Sequence, residues 1–137
     1  MNTMKLEKKI LSYNLPPETM QQLEALCREE EICLITVSEN EYDIPLGFLA
    51  YGSPDQKKDF LRTGDHPAAG RASEILDPML VFAGFMQPDL MGFLQQMRKA
   101  GLGRIDLKAM LTEHNAVWSS PMLYDEIKKE HEYMQNR

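Results

Sequence analysis

Met79-Leu-Val-Phe-Ala-Gly-Phe85 is the most apolar stretch of the chain, and Pro88-Asp89 follows it at once. A short apolar run bounded by turn signals reads as a strand buried on both faces. That places it in the middle of a sheet. Pro88 and Asp89 then suit a helix start, since proline is tolerated in a first turn and an acid complements the positive helix end. Leu90, Phe93, Leu94 and Met97 recur at helical spacing, and Gly101 stands where a left-handed residue would end the helix.

Beyond it, Arg104 to Leu111 alternates, with Ile105, Leu107, Ala109 and Leu111 on one face and Asp106, Lys108 and Met110 on the other. A polar turn, Thr112-Glu-His-Asn115, leads past the only tryptophan, Trp118, to Ser120-Pro121. Ser120 reads as the N-cap of a closing helix with the stripe Leu123, Ile127, His131 and Met134.

The same parts precede this block. Residues 8–15 suit a strand, and Pro16-Pro17 opens a helix carrying Met20, Leu23, Leu26 and Cys27. Ile32 to Val37 is apolar on both alternating faces, which predicts a strand covered on both sides instead of an open edge. Ser38 to Asp43 is a polar turn, and Pro45 starts a brief helix over 46–51 that stops at Gly52. Residues 53–77 read as a linker, helical at most over 56–62.

Overlaying the halves at a period of roughly 70–75 residues pairs these parts one for one. Ile10-Leu11 meets Leu80-Val81, Leu15 meets Phe85 and Pro17 meets Pro88. Met20, Leu23 and Leu26 meet Met91, Leu94 and Met97, while Ser38-Glu39 meets Thr112-Glu113 and Pro45-Leu46 meets Pro121-Met122. The expectation is one α+β domain over residues 1–137, built from pseudo-repeats at about 8–52 and 78–134 joined by a linker at 53–77. Two βαβ(α) halves pairing antiparallel, first strands in the centre, would give a four-stranded ferredoxin-like sheet with packed helices. The alternative is a small doubly wound α/β parallel sheet.

A net charge of −6 and a pI near 5.1 argue against a phosphate-backbone binder, so no nucleic acid is expected. No apolar run reaches the ~20 residues of a membrane span, and the N-terminus lacks a signal-peptide layout. Two cysteines, Cys27 and Cys33, make neither a disulfide framework nor a zinc pattern; both suit core positions, and a reducing, cytoplasmic location follows. His66, His114 and His131 lack ligand spacing, so no metal and no cofactor is expected. Gly101-x-Gly103 follows a helix instead of opening one, which removes the dinucleotide reading.

The candidate binding residues are Lys108, Thr112, His114, Asn115 and Trp118. Lys108 on the outer face of the last strand could meet an anion, with Thr112, Asn115 and the helix start at Ser120 as donors. The competing reading is scaffold: Thr112 and Asn115 bonding backbone in the turn, Lys108 guarding an edge strand, Trp118 packing on the closing helix. Lys108, Glu113 and His114 form an acid/base set on paper, although adjacent residues do not face each other and no nucleophile is in view. No catalytic residue is assigned.

Leu107-Lys-Ala-Met-Leu-Thr112, followed by Asn115, Trp118 and Leu123, resembles the pattern of a bacterial family known as domain of unknown function 3783, over roughly residues 78–131. The resemblance implies a bacterial origin and no activity. The functional expectation is a non-catalytic, cytoplasmic domain that binds a protein partner or a small anion. Two-sided apolar strands and ten methionines add the expectation of a homodimer. The alternative is a small enzyme using Lys108, Glu113 and His114.

Overall fold

The computed structural model describes residues 7–63, 75–102 and 105–135. The chain runs β1 (Lys9–Tyr13), α1 (Pro17–Glu29), β2 (Cys33–Thr36), a 3-10 turn (Glu39–Glu41), α2 (Leu46–Tyr51), α3 (Pro54–Thr63), β3 (Met79–Ala83), α4 (Gln87–Lys99), β4 (Leu107–Met110) and α5 (Ser120–Gln135). It is an α+β fold with a four-stranded mixed sheet in the order β2-β1-β3-β4.

β1 pairs parallel with β2 and β3 parallel with β4, each pair joined through one helix. The two pairs meet antiparallel along β1 and β3, with Leu11 opposite Val81 at the middle of the register. The first strand of each unit is therefore central, as the apolarity of Met79–Ala83 requires: all five of its residues are buried. The ferredoxin-like expectation holds only in its coarser part. A split βαβ unit has another strand between its two parallel ones, whereas here those strands are direct neighbours. The doubly wound alternative fails at the antiparallel β1–β3 junction.

Side-chain alternation divides the core in two. On one face Leu11, Tyr13, Val81 and Leu107 pack with Leu46 and Leu49 of α2 and with Leu123 and Tyr124 of α5. On the other, Ile10, Leu80 and Phe82 pack with Leu23 and Cys27 of α1 and with Phe93 and Met97 of α4. The two-sided apolarity of the strands is thus covered by the chain's own helices.

Several local expectations need correction. β2 is an edge strand, and Cys33 is exposed, because its neighbours lie on one side only. Ile105 joins the α1/α4 cluster and not the face of Leu107 and Ala109, since the strand begins after it. The first part of the supposed linker is α3, ten residues long: Ser53 N–H donates to Gln56 Oε1 at 2.9 Å and Gln56 N–H to Ser53 Oγ at 3.1 Å. That reciprocal Ser-x-x-Gln cap was present in the sequence. Residues 64–74 of the linker, His66 among them, lie outside the described residues, as does Arg104.

The closing helix is capped by Ser119, whose Oγ accepts from Met122 N–H, and not by Ser120. Ser120 is buried and shares a 2.6 Å hydrogen bond with the Tyr13 hydroxyl. The inner stripe of α5 is Leu123, Tyr124 and Ile127, and Met134 is 60% exposed because the helix runs on past the core. Helix bounds in the halves differ by 70 residues, so Leu23 corresponds to Phe93 and Cys27 to Met97, one residue off the overlay read from sequence.

Both α1 and α4 end in the same motif. Ile32 N–H reaches Cys27 O and Glu31 N–H reaches Arg28 O; Leu102 N–H reaches Met97 O and Gly101 N–H reaches Arg98 O. The motif requires a left-handed residue, which is Glu31 (φ 60°) in one helix and Gly101 (φ 75°) in the other.

Candidate functional site

The polar turn after β4 is held by its own side chains. Thr112 N–H donates to Asn115 Oδ1 at 2.8 Å, Asn115 N–H to Thr112 Oγ1 at 3.1 Å, and Asn115 Nδ2 to Met110 O at 3.0 Å. Asn115 is buried with those bonds made, so its amide serves the backbone of its own turn. The turn's outgoing carbonyls serve α2: Leu46 N–H donates to Trp118 O and Gly47 N–H to Ala116 O, each at 2.9 Å. These bonds satisfy two of the amides that a helix start leaves without partners.

Trp118 packs against the α2/α5 core, and His114 meets its ring edge-on at 5.3 Å between centroids. Glu113 and His114 are exposed. Lys108 points to the other side of the sheet, where its Nζ donates to Ile105 O. Lys108 and Met110 share the α4 side of β4. The structure therefore keeps Thr112, His114, Asn115 and Trp118 together and places Lys108 apart from them. The set Lys108, Glu113 and His114 does not converge.

What the fold does build lies at the outer edge of β4. α5 is 16 residues long, and its C-terminal half reaches the residues ahead of β3 and β4: Lys128 meets Asp77 and His131 meets Asp106. The cleft between that half of α5, the end of α4 and β4 has a volume of about 530 Å³. Leu94, Met97, Leu102 and Ile105 give it an apolar floor, and Arg98, Lys108, His131 and Asp106 stand around it. His131 Nε2 lies 3.9 Å from Asp106 Oδ2. A second cleft of about 270 Å³ shares Asp106 and His131 and continues to Asp77 and Lys128.

At the far end of that second cleft, the Tyr124 hydroxyl donates to Asp77 Oδ2 at 2.6 Å. Lys128 Nζ donates to the Tyr124 oxygen at 3.1 Å and lies 3.3 Å from Asp77 Oδ2. The hydrogen bond from Tyr124, aided by Lys128, holds the Asp77 carboxyl below its usual range, and the same contacts raise Lys128. The network ties the residue ahead of β3 to α5.

Of these cleft residues Lys108 is a candidate in the sequence, Arg98 is not, and His131 is legible only as part of a helical stripe. No spacing links residues 98, 108 and 131, because they come from three elements. Cys27 is chemically quiet: burial pushes its thiol up to about 12. Among the described residues no group of His, Cys, Asp and Glu could hold a metal, and no helix is long and apolar enough to cross a membrane.

Residues 78–134 match the model of a family described as domain of unknown function (DUF3783). The match takes in β3, α4, β4, the polar turn and nearly all of α5, and with them the whole of the larger cleft. No curated protein and no solved structure matches the chain.

Proposed function

We propose that this chain is a non-catalytic, cytoplasmic bacterial domain that binds a small organic anion in the cleft between α4, α5 and the edge of β4. The observation carrying this reading is the cleft lining: an apolar floor ringed by a guanidinium, an ammonium and an imidazole, with a single carboxylate. A volume of about 530 Å³ suits a small metabolite, and apolar walls with a few polar groups are the usual make-up of such sites. Arg98 and Lys108 would hold the anionic head, and Met97, Leu94 and Ile105 a short apolar tail. A bacterial source rests on the family resemblance, and a reducing cytoplasm on the unpaired Cys27 and exposed Cys33.

The proposal includes an internal duplication, which a set of matching positions supports. The left-handed positions Asn14 and Gly84, like Glu31 and Gly101, stand 70 residues apart. Ser38 N–H bonds Glu41 as Thr112 N–H bonds Asn115. A tyrosine hydroxyl anchors the residue ahead of each central unit, Tyr51 to Glu7 O and Tyr124 to Asp77. In the first half the helix at the corresponding place, α2, has six residues where α5 has sixteen.

The test is a thermal-shift screen with straight-chain carboxylates of increasing length, followed by calorimetric titration of the best one. Stabilisation should grow with chain length up to the size of the cleft and fall at least tenfold in affinity in Arg98→Ala and Lys108→Ala. Inorganic phosphate, which has no apolar part, should stabilise less. Affinity unchanged from that of the unsubstituted protein in both variants, or no carboxylate that raises the melting temperature, would refute the reading.

A further inference from the structure

The two edges of the sheet are built differently. At β4 a lysine, Lys108, stands inside the strand, a device that keeps another strand away. β2 has no such residue. Its residues Cys33-Leu34-Ile35-Thr36 carry no charge and no proline, and Cys33 and Thr36 are exposed. Cys33 N–H donates to Lys8 O and Val37 N–H to Ser12 O, so the odd-numbered residues face β1. By the alternation of a parallel ladder, Leu34 and Thr36 turn their N–H and C=O groups to the open side. Leu34 and Ile35 are half-buried on opposite faces, which continue into the α1 and α2/α5 cores.

Charge says what fits there. Glu29, Glu30 and Glu31, all exposed, precede β2, and Glu39, Glu41 and Asp43 follow it. A second copy pairing across a two-fold axis would run antiparallel and set one acidic end against the other. We propose that the open edge of β2 accepts an extended peptide segment of a partner, a short run of β-branched residues with lysine or arginine at both ends. Backbone hydrogen bonds to Leu34 and Thr36 supply the pairing, and the acidic flanks select the basic ends. This surface lies on the opposite edge of the sheet from the anion cleft and does not depend on it.

The experiment is amide exchange and titration by NMR on the whole chain, with a synthetic peptide of alternating Val and Thr flanked by lysines. In the free protein the amides of Leu34 and Thr36 should exchange as open amides while those of Cys33 and Val37 are protected. The peptide should slow Leu34 and Thr36 at least tenfold, and its affinity should fall with salt. Glu29→Gln, Glu30→Gln and Glu31→Gln together should weaken it by about tenfold, and a glutamate-flanked peptide should not bind. A peptide N-methylated at the residues facing β2 should fail as well, a control that leaves the protein's fold untouched. Lys108→Ala should leave peptide binding unchanged. Protection of Leu34 and Thr36 in the free chain, dimerisation through this edge, or equal binding of the N-methylated peptide would overturn the proposal.

Discussion

Replacing Glu31 by glycine should stabilise the protein. Glu31 ends α1 with φ 60°, a conformation its Cβ resists, and the equivalent residue of α4 is Gly101 at φ 75°. A non-glycine residue held there costs about 1 kcal/mol or slightly more. Glycine removes that cost but brings roughly 0.5–1 kcal/mol of its own through a freer unfolded chain. Glu31 also places a negative charge at the negative end of a helix, beside Glu29 and Glu30, worth a few tenths of a kcal/mol more. The net gain from Glu31→Gly should be about 0.5–1 kcal/mol. The reverse change, Gly101→Ala, meets open space, with no atom within 4 Å of an added Cβ. Its cost, the backbone strain less the entropy that alanine removes from the unfolded chain, is therefore purely conformational and about 0.5 kcal/mol. Glu31→Gln separates the two contributions, since it removes the charge and keeps the backbone strain. Urea denaturation followed by circular dichroism measures all three, with an unchanged slope required for the comparison. A destabilised Glu31→Gly, a neutral Gly101→Ala, or a Glu31→Gln gain as large as that of Glu31→Gly would refute the reasoning.

Gly84→Ala should be far more damaging, by about 3 kcal/mol or more, because the new Cβ would lie 2.5 Å from Glu7 O at φ +80°; thermal unfolding would show it, and a fall of only a degree or two would contradict the geometry. Tyr13→Phe or Ser120→Ala should each cost roughly 1–3 kcal/mol by leaving the partner of a buried 2.6 Å hydrogen bond unsatisfied. The double variant should cost less than their sum, which a double-mutant cycle measures. Asp77 is held below its usual range, so its contribution to stability is present above the unfolded carboxylate pKa and is lost as pH falls through the folded value. Asp77→Asn should flatten the acid limb of stability against pH, and an unchanged limb would remove Asp77 from that role.

Much of the candidate site was illegible in sequence for a physical reason. Lys108 could be singled out because strand alternation shows which residues leave the core face. The polar turn looked the richer place, but its Thr112 and Asn115 spend their side chains on their own backbone. Whether an amide in a turn faces a ligand or the chain depends on burial, and burial of Asn115 comes from α2 docking beside it. Arg98 and His131 give no signal, since their meeting depends on how α4 and α5 pack around β4.

By itself the chain determines its elements and their order. Prolines open helices, Gly101 closes one, and the apolar Met79–Ala83 can only be a central strand, because each is a matter of local backbone preference or of side-chain periodicity. Tertiary structure alone decides that β1 and β3 meet antiparallel, that β2 is an edge, and that Tyr13 bonds Ser120 across the chain. Periodicity assigns a residue to a face without naming its neighbour. Neighbours follow from burying both faces of the sheet at once, and the long α5 of the second half, with α4 and β4, turns that packing into a cleft.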